Sequence, residues 1–406
     1  MKEVVYHINM KIIQRESYLN KLESLRDEHI IKVVTGVRRC GKSTLLKVFR
    51  EKLLASGVAQ ECIQYINFED PKYSYNTNWH DVYELITSNL VQNKMNYVFL
   101  DEVQYIDEFE RLLIGLQTIE NVDLYVTGSN ARMLSSELAT LLSGRSIEIS
   151  MLPFSFREYL EATEGMELSI EKKFSNYMSF GGFPQAVSIF EQDVNSVDTY
   201  LSGIYETVVG RDIMDRGEVS DKATLNRVVR FLLDNIGNST SVNGIADDLG
   251  VSRYKVGQVM DALTASFLFY KLNRLDVKGR DLLKTQEKYY AVDMGLRWAM
   301  LGRDAASDKG HLLENVVFLE LVRRGGHVTI GKVNNKEVDF VVKGTDGRVS
   351  YYQVTWTMGS EKTRERELSP LMKIPTFSNR YVISMDEDEM DYDGVPQINA
   401  IRWLTE

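Results

Sequence analysis

The stretch IIKVVTGVRRCGKSTLLKVFREKLLAS, residues 30–56, decides the fold of this chain. Its apolar beginning predicts a buried β-strand, and its end, rich in helix-forming residues, predicts a helix. Between them, Gly36 to Ser43 match the pattern G-x-x-x-x-G-K-[ST] in full. Glycines in such a loop let backbone N–H groups face phosphate oxygens, and the following helix presents its positive N-terminal end. The stretch therefore predicts a phosphate-binding loop rather than a chance glycine turn.

Further apolar segments alternate with helical stretches after this loop. They are CIQYINF at 62–68, YVFLDE at 97–102 and LYVTGS at 124–129. Alternation of this kind predicts an α/β fold, in which helices cover a parallel sheet. Such sheets bind ligands at the carboxyl ends of their strands. We therefore predict a P-loop nucleotide-binding domain over residues 1–155.

The loop supplies the predicted contacts with ATP. Lys42 is expected to contact the β and γ phosphates, and the Ser43 hydroxyl is expected to ligate Mg²⁺. Arg38 and Arg39 could also anchor the loop or contact a neighbour, and Cys40 is interpreted as a space-filling residue. The residues predicted to contact the nucleotide run consecutively along the chain: Gly36, Val37, Arg38, Arg39, Cys40, Gly41, Lys42, Ser43 and Thr44.

Two carboxylates, Asp101 and Glu102, directly follow an apolar strand beyond the loop. Asp101 is expected to hold the magnesium shell together with Ser43, while Glu102 would orient and polarise the attacking water. An apolar run followed by these two acids is a weak signal alone, but it is strong behind a complete phosphate loop. The sequence therefore predicts ATP hydrolysis, with Lys42 and Glu102 in the catalytic set.

Two further catalytic residues are predicted from less specific signals. Asn130 or Ser129, at the end of a strand, could contact the γ-phosphate, although both residue types also form turns and helix caps. Arginine fingers leave no local motif, because a neighbouring surface supplies them. Arg145 and Arg211 are the candidates, and each could equally form a structural ion pair. Asn130 and Arg145 complete the predicted catalytic set.

The bulk composition is that of ordinary globular proteins. Apolar residues make up 44% of the chain and charged residues 26%, with a formal net charge of −10. A chain of 406 residues corresponds to roughly two to four domains. The two cysteines exclude a disulfide framework, and no apolar run approaches the roughly 18 to 20 residues that span a bilayer. We expect a cytoplasmic protein without a membrane partner.

Three more sections are predicted after the nucleotide-binding domain. Residues 156–216 are predicted to form a helical lid or connector. Residues 217–290 carry helices followed by a β-rich stretch, which is the element order of a winged helix. Residues 291–406 mix a helix with several strands and therefore predict a second α/β unit.

The predicted winged helix has a candidate surface for double-stranded DNA. Its third helix begins with Arg253, Tyr254 and Lys255, at the position where a recognition helix presents side chains to the major groove. Winged helices also bind proteins, so a protein partner or a homo-oligomer is the alternative.

Taken as a whole, the sequence resembles a prokaryotic family of AAA-superfamily ATPases that carry a C-terminal domain of uncharacterised type. The resemblance covers nearly all residues. It is carried by residues 15–22 and 34–44, YINFED at 65–70, FLDEVQ at 99–104, VTGSNARML at 126–134, LSGR at 142–145, LPFSFREYL at 152–160, GGFP at 181–184, RDI at 211–213, VDMGLR at 292–297 and LLEN at 312–315. It implies ATP binding and hydrolysis, a winged helix and a restriction-endonuclease-like C-terminal domain.

In the nuclease fold that the resemblance implies, a helix acid, a strand Asp and an E-x-K segment hold Mg²⁺ and a water. Glu314 and Asp339 stand at the first two positions, but the third reads Gln353-Val354-Thr355. Glutamine lacks the charge that a metal prefers, and threonine cannot replace the lysine. We therefore predict that this domain is catalytically degenerate.

These observations predict a Mg-dependent ATPase that couples hydrolysis to conformational changes of a DNA-binding winged helix and a C-terminal domain. One alternative is a nucleotide-operated binding switch, which turns over little ATP and acts on a protein partner. A second alternative is an ATP-gated nuclease.

Overall fold

The fold is taken from a computed structural model. The structure describes residues 11–73, 78–129, 142–215, 217, 219–277, 282–302, 308–334 and 336–406. In this part of the chain, no helix is both long and apolar enough to cross a membrane.

A parallel sheet forms the first part of the fold. Its strands, within the described residues, are β1 (Ile31–Thr35), β2 (Ile63–Asn67), β3 (Asn96–Asp101), β4 (Val122–Gly128) and β5 (Ser146–Ser150). Their order is β2-β3-β4-β1-β5, and each neighbouring pair is parallel. Strands β1, β3 and β4 are buried along their whole length, which is why they appear in the sequence as apolar runs rather than alternating patterns. The predicted α/β fold with a parallel central sheet is confirmed.

Helices lie on both faces of this sheet. They are α1 (Glu16–Ser24), α2 (Lys42–Ala55), α3 (Trp79–Thr87) and α4 (Phe109–Gln117). Neighbouring strand residues point to opposite faces, so Val34 packs in one cluster with Phe49 of α2 while Val33 packs in another with Leu112 of α4. The two faces are thus covered by different helices, and the carboxyl ends of the strands stay open.

A run of helices follows the first sheet. It consists of α5 (Phe156–Ala162), α6 (Ile170–Phe180), α7 (Pro184–Gln192), α8 (Val194–Thr207) and a π-helical segment at Val208–Met214. Helix α5 begins at a capping box, in which the Ser155 hydroxyl and the Glu158 side chain each accept a backbone N–H of the other residue. The π-helical segment carries Arg211 and Asp212, which approach the phosphate-binding loop.

The next elements are α9 (Lys222–Asp234), β6 (Ser239–Thr240), α10 (Val242–Leu249), α11 (Arg253–Ala265), β7 (Phe269–Asp276) and β8 (Leu282–Ala291). Strand β8 pairs antiparallel with both β6 and β7. The winged-helix interpretation of residues 217–290 stays a prediction.

The last elements are α12 (Met294–Leu301), α13 (Lys309–Arg323), β9 (His327–Val333), β10 (Lys336–Lys343), β11 (Val349–Val354), α14 (Glu361–Leu371), β12 (Asn379–Ser384), β13 (Gln397–Asn399) and α15 (Ala400–Thr405). Strand β9 pairs in parallel with β7, with Arg274 beside Ile330. A single sheet in the order β13-β12-β11-β10-β9-β7-β8-β6 therefore runs through the described residues on both sides of position 290. The predicted boundary between 217–290 and 291–406 crosses this sheet, and the endonuclease-like interpretation stays a prediction.

Asp293 joins the start of α12 to the turn before α7. One carboxylate oxygen, Oδ2, accepts the Gly182 N–H at 2.6 Å, and Oδ1 accepts the Gly295 N–H at 2.8 Å. A Cβ on Gly181 would lie 1.9 Å from Oδ1, so this turn has room only for glycine there. Pro184, the first residue of α7, comes two residues after Gly182, so Asp293 holds the turn through which the chain enters α7.

We expect Asp293 to make stability depend on pH. Burial raises the pKa of its carboxyl to about 7, although backbone N–H donors oppose the shift. The ordinary pKa is about 3.9, so between these two values the folded protein binds more protons than the unfolded chain. The free energy of unfolding should then fall as the pH rises from about 4 to 7, by up to about 1.4 kcal/mol per pH unit from this group. Urea denaturation at several pH values should show a smaller fall in Asp293→Asn, and an equal fall in both proteins would contradict this assignment.

Candidate active site

The phosphate-binding loop joins β1 to α2 at the carboxyl edge of the first sheet. Gly36 has φ +142°, and a Cβ there would lie 2.1 Å from the carbonyl oxygen of Met151, so only glycine fits. Gly41 (φ +110°) and Arg39 (φ +70°) also have positive φ. These conformations curl the loop around the N-terminal end of α2, where unpaired backbone N–H groups favour an anion.

Lys42 is buried in the concave side of this loop. Its ammonium donates to the carbonyl oxygens of Gly36 at 3.1 Å and Val37 at 3.4 Å. It also lies 3.7 Å from Oε1 of Glu102. The ammonium is thus held between the loop and the acid at the end of β3.

The Asp101 carboxylate accepts hydrogen bonds from hydroxyl groups on three different elements. Its Oδ1 accepts the Ser43 hydroxyl at 3.0 Å and the Thr127 hydroxyl at 2.5 Å, and its Oδ2 accepts the Tyr65 hydroxyl at 2.7 Å. A hydroxyl and a carboxylate side by side are hard oxygen donors, and Mg²⁺ in such sites takes only one or two protein ligands besides phosphates and waters. Ser43 and Asp101 therefore fit the magnesium role that the sequence predicts for them.

Glu102 is held in a strained backbone conformation, with φ +59°. Its N–H donates to the Thr127 hydroxyl at 2.9 Å, and its carboxylate accepts the side-chain amide of Gln104. Burial acts to raise the pKa of Glu102, but the charges of Lys42 and Arg38 and the Gln104 hydrogen bond bring that pKa below its ordinary value. Glu102 is therefore an ionised carboxylate next to Lys42, able to accept a hydrogen bond from a water.

Two neighbouring cavities lie beside these residues. The first is an open cleft of about 1450 Å³, lined by Arg39, Lys42, Ser43 and Glu102 on one side and by α7 and α8 on the other. The second, which we call the apolar slot, is a narrower cavity whose empty volume, including the open solvent at its mouth, is about 750 Å³. Its walls are mostly apolar and include Ile12, Ile13, Leu45, Val48, Met151, Phe154, Pro184 and Val187. Gly41, Thr44 and Pro184 line both cavities, so a ligand could occupy the cleft and the slot together.

Comparison with family models identifies two segments of the chain. Residues 28–160 match the AAA domain, and residues 171–307 match a domain of unknown function. An uncharacterised protein of Haemophilus influenzae is 36% identical over 401 residues, which are 97% of this chain and 98% of that protein. The chain belongs to the same family as this protein and carries an AAA domain with a P-loop.

Two more distant similarities were found. An uncharacterised protein of Methanocaldococcus jannaschii is 27% identical over 394 residues, covering 90% of this chain and 83% of that protein. Among solved structures, the Walker-type ATPase of Pyrococcus abyssi is similar with a TM-score of 0.49 and 13% identity, over 71% of this chain and 96% of that chain.

A buried ion pair ties the AAA domain to the helices that follow it. In the loop, the Arg38 guanidinium donates from two nitrogens to the Asp212 carboxylate, at 3.0 and 3.1 Å. A third nitrogen donates to Glu69 at 2.7 Å. Burial acts to lower the pKa of Arg38, but Asp212 and Tyr105 raise it above the ordinary value. The loop is thus anchored to the π-helical segment through a buried salt bridge with two hydrogen bonds.

The strand end at Ser129 joins this ion pair to Glu102. The Ser129 hydroxyl donates to Asp212 at 3.3 Å and accepts the Gln104 amide at the same distance, and Gln104 also donates to Glu102. Asn130, the sensor residue in the predicted catalytic set, lies outside the described residues.

The structure does not bring Arg145 to the active site of the same AAA domain. Its carbonyl oxygen accepts the Ile31 N–H at 2.8 Å, at the amino end of β1, and its side chain is exposed. The loop begins at the other end of that strand, about 15 Å away at the usual rise per residue. Arg145 could reach such a site only in a second copy of the chain. Arg211 lies closer, in an exposed groove with Gln104 and Asp212.

The sequence did not predict the residues that hold the side chains of this site in position. Tyr65 and Thr127 lie within two residues of the carboxyl ends of β2 and β4, and Gln104 lies in the short turn after β3. The parallel register of the strands could have suggested them. The role of Asp212 and the apolar slot could not be predicted in this way, because both depend on residues from separate parts of the chain.

We expect Arg38 and Asp212 to be strongly coupled in stability. Removing one member of a buried ion pair costs about 3 to 5 kcal/mol, because the other charge stays buried. Asp212→Leu and Arg38→Met should each lower the free energy of unfolding by about 3 kcal/mol. The double variant should lose at least about 1 kcal/mol less than the sum of the two single losses, because neighbouring residues that interact are not additive. Urea denaturation measures these values.

The exposed pair Arg111–Glu108 provides the matched control for this double-mutant cycle. Its removal should change the free energy of unfolding by less than about 0.5 kcal/mol. Additive effects at Arg38 and Asp212 would show that the two residues do not form the buried pair.

Proposed function

We propose that this AAA-domain protein is a Mg-dependent ATPase. The observation that carries the proposal is that Lys42, Ser43, Asp101 and Glu102 lie together at the carboxyl edge of the first sheet. Lys42, Ser43 and Glu102 line an open cleft beside the apolar slot. Phosphates would lie against the loop from Gly36 to Thr44, and the base would enter the slot. The phosphates would thus face a loop with a buried ammonium, and the base would face apolar side chains.

Each residue has a separate role in the proposed reaction. Lys42 would leave the loop carbonyls to contact the β and γ phosphates. Ser43 and Asp101 would hold Mg²⁺, which neutralises charge on the phosphates when bound. Glu102, ionised and held by Gln104, would orient the attacking water through a hydrogen bond. Asn130 is proposed to contact the γ-phosphate, and Arg145 to act from a second copy.

Two substitutions separate nucleotide binding from hydrolysis. Lys42→Ala should weaken binding of a fluorescent ATP analogue by at least about 100-fold, because a buried, charge-assisted phosphate contact is lost. Lys47→Ala changes an exposed lysine on the same helix and should bind like the parent. Glu102→Gln should keep binding but lose at least about 99% of steady-state phosphate release, the usual size of a general-base contribution.

Phosphate release by Glu102→Gln at the parental rate would overturn the role proposed for Glu102. Tight ATP binding by the parent without turnover would instead favour the nucleotide-operated binding switch with a protein partner.

We also propose that α11 contacts double-stranded DNA. Tyr254 is 75% exposed in the first turn of α11, next to the exposed side chains of Arg253 and Lys255. Each cation has an acidic neighbour, since Asp247 lies 3.9 Å from Arg253 and Asp221 lies 3.2 Å from Lys255. Both pairs are exposed and therefore weak, so a phosphate could displace the acids.

The DNA proposal predicts a change in salt dependence. Replacing Arg253 and Lys255 by alanine should reduce the slope of log affinity against log salt by about 2, because two phosphate contacts disappear. Fluorescence anisotropy with a labelled duplex measures the slope, and Lys222→Ala on α9 is the control. An unchanged slope would favour a protein partner for this surface.

A further inference from the structure

A second polar pocket lies between β8, α13, α14 and the strands β10 and β11 of the eight-stranded sheet. It is an open cleft of about 1440 Å³, and Lys288, Glu314, Glu337, Asp339, Gln353 and Glu367 are among the residues that line it. We call it the acidic pocket. It contains the positions at which the family resemblance implies a metal site, namely Glu314, Asp339 and Gln353.

Lys288 of β8 places a buried ammonium among these acids. Its Nζ lies 2.9 Å from Oε1 of Glu314 on α13 and 2.7 Å from Oε1 of Glu337 on β10. The Tyr290 hydroxyl donates to the same Glu314 oxygen at 2.6 Å. Burial acts to lower the pKa of Lys288, but Glu314, Asp339 and Glu337 raise it above the ordinary value. The lysine is therefore a permanent cation at neutral pH.

The side chain of Gln353 is already engaged on both of its polar atoms. Its Oε1 accepts the backbone N–H of Asp339 at 2.9 Å, and its amide donates to Glu367 at 2.7 Å. The Asp339 carboxylate in turn accepts the Val354 N–H at 2.8 Å. Gln353 thus connects two acids of the pocket, and its oxygen already accepts a backbone N–H instead of standing free for a metal as a carboxylate would.

These residues do not fit the metal that the resemblance implies. Oε1 of Glu314 already contacts an ammonium and a hydroxyl, and Oε1 of Gln353 already accepts a backbone N–H. Within the described ranges, no group of three or more His, Cys, Asp or Glu side chains is arranged to hold a metal ion. A positive charge already stands where the acids converge.

We propose that the ammonium of Lys288 takes the place of a divalent metal in the acidic pocket, so that this pocket neither binds such a metal nor cleaves nucleic acid. The lysine comes from β8, whereas its partners come from α13 and β10. The same contacts therefore join the sections on the two sides of residue 290. This role does not depend on the ATPase proposed for the first sheet.

Mn²⁺ binding to the full-length protein tests the proposal, with electron paramagnetic resonance as the measure of free Mn²⁺. The background protein carries Ser43→Ala and Asp101→Asn, which remove the other proposed magnesium ligands, and no nucleotide is added. Lys288→Met in this background should raise the Mn²⁺ affinity at least about tenfold. The substitution removes the competing ammonium, and the negative charge of the remaining ligands favours a divalent cation. The gain should disappear when Asp339→Asn is added.

Lys271→Met is the matched control, because Lys271 pairs with Glu287 on the surface of the same sheet. It should leave Mn²⁺ binding unchanged. Circular dichroism and thermal melting establish that each variant is folded. A folded Lys288→Met protein that gains no Mn²⁺ affinity would overturn the proposal.

The background protein alone gives an independent test if Lys288→Met does not fold. It should bind no Mn²⁺ in the acidic pocket, so that adding Asp339→Asn changes nothing. Mn²⁺ binding that is lost on adding Asp339→Asn would show that a metal enters beside Lys288, and the proposal would be wrong.

Discussion

The two hydrogen bonds between Arg38 and Asp212 are the interaction on which the rest of this structure depends. Arg38 belongs to the phosphate-binding loop, and Asp212 belongs to a π-helical segment more than 170 residues later. Removing either group would leave the other buried without its main partner. The pair ties the loop to the helical section, and Ser129 and Gln104 connect the same pair to Glu102.

A second constraint makes the later sections part of one body. Strand β7 pairs with β9, so a single sheet spans the residues on both sides of position 290. Asp293, just beyond β8, accepts a hydrogen bond from Gly182 in the turn that leads to Pro184 at the cleft. This carboxylate thus ties the turn beside the cleft to the chain just beyond the eight-stranded sheet. A change in the cleft that moves α7 would have to break these contacts or move the chain around Asp293 together with α7.

The sequence predicted those features that depend on neighbouring residues. The apolar runs at β1, β3 and β4, the loop from Gly36 to Ser43 and the two acids after β3 are local patterns, so they could be interpreted without a structure. Lys288 and Asp212 could not be assigned in this way, because their partners are distant in sequence. The position of Arg145 at the amino edge of β5 likewise depended on strand register, which a short motif does not contain.

The most direct test of the account is a crystal structure of the Glu102→Gln protein with ATP and Mg²⁺. The account predicts the phosphates against Gly36 to Thr44, with the γ-phosphate next to Lys42, the metal beside Ser43 and Asp101, and the base in the apolar slot. A nucleotide bound elsewhere, or one whose phosphates point away from Lys42, would contradict it.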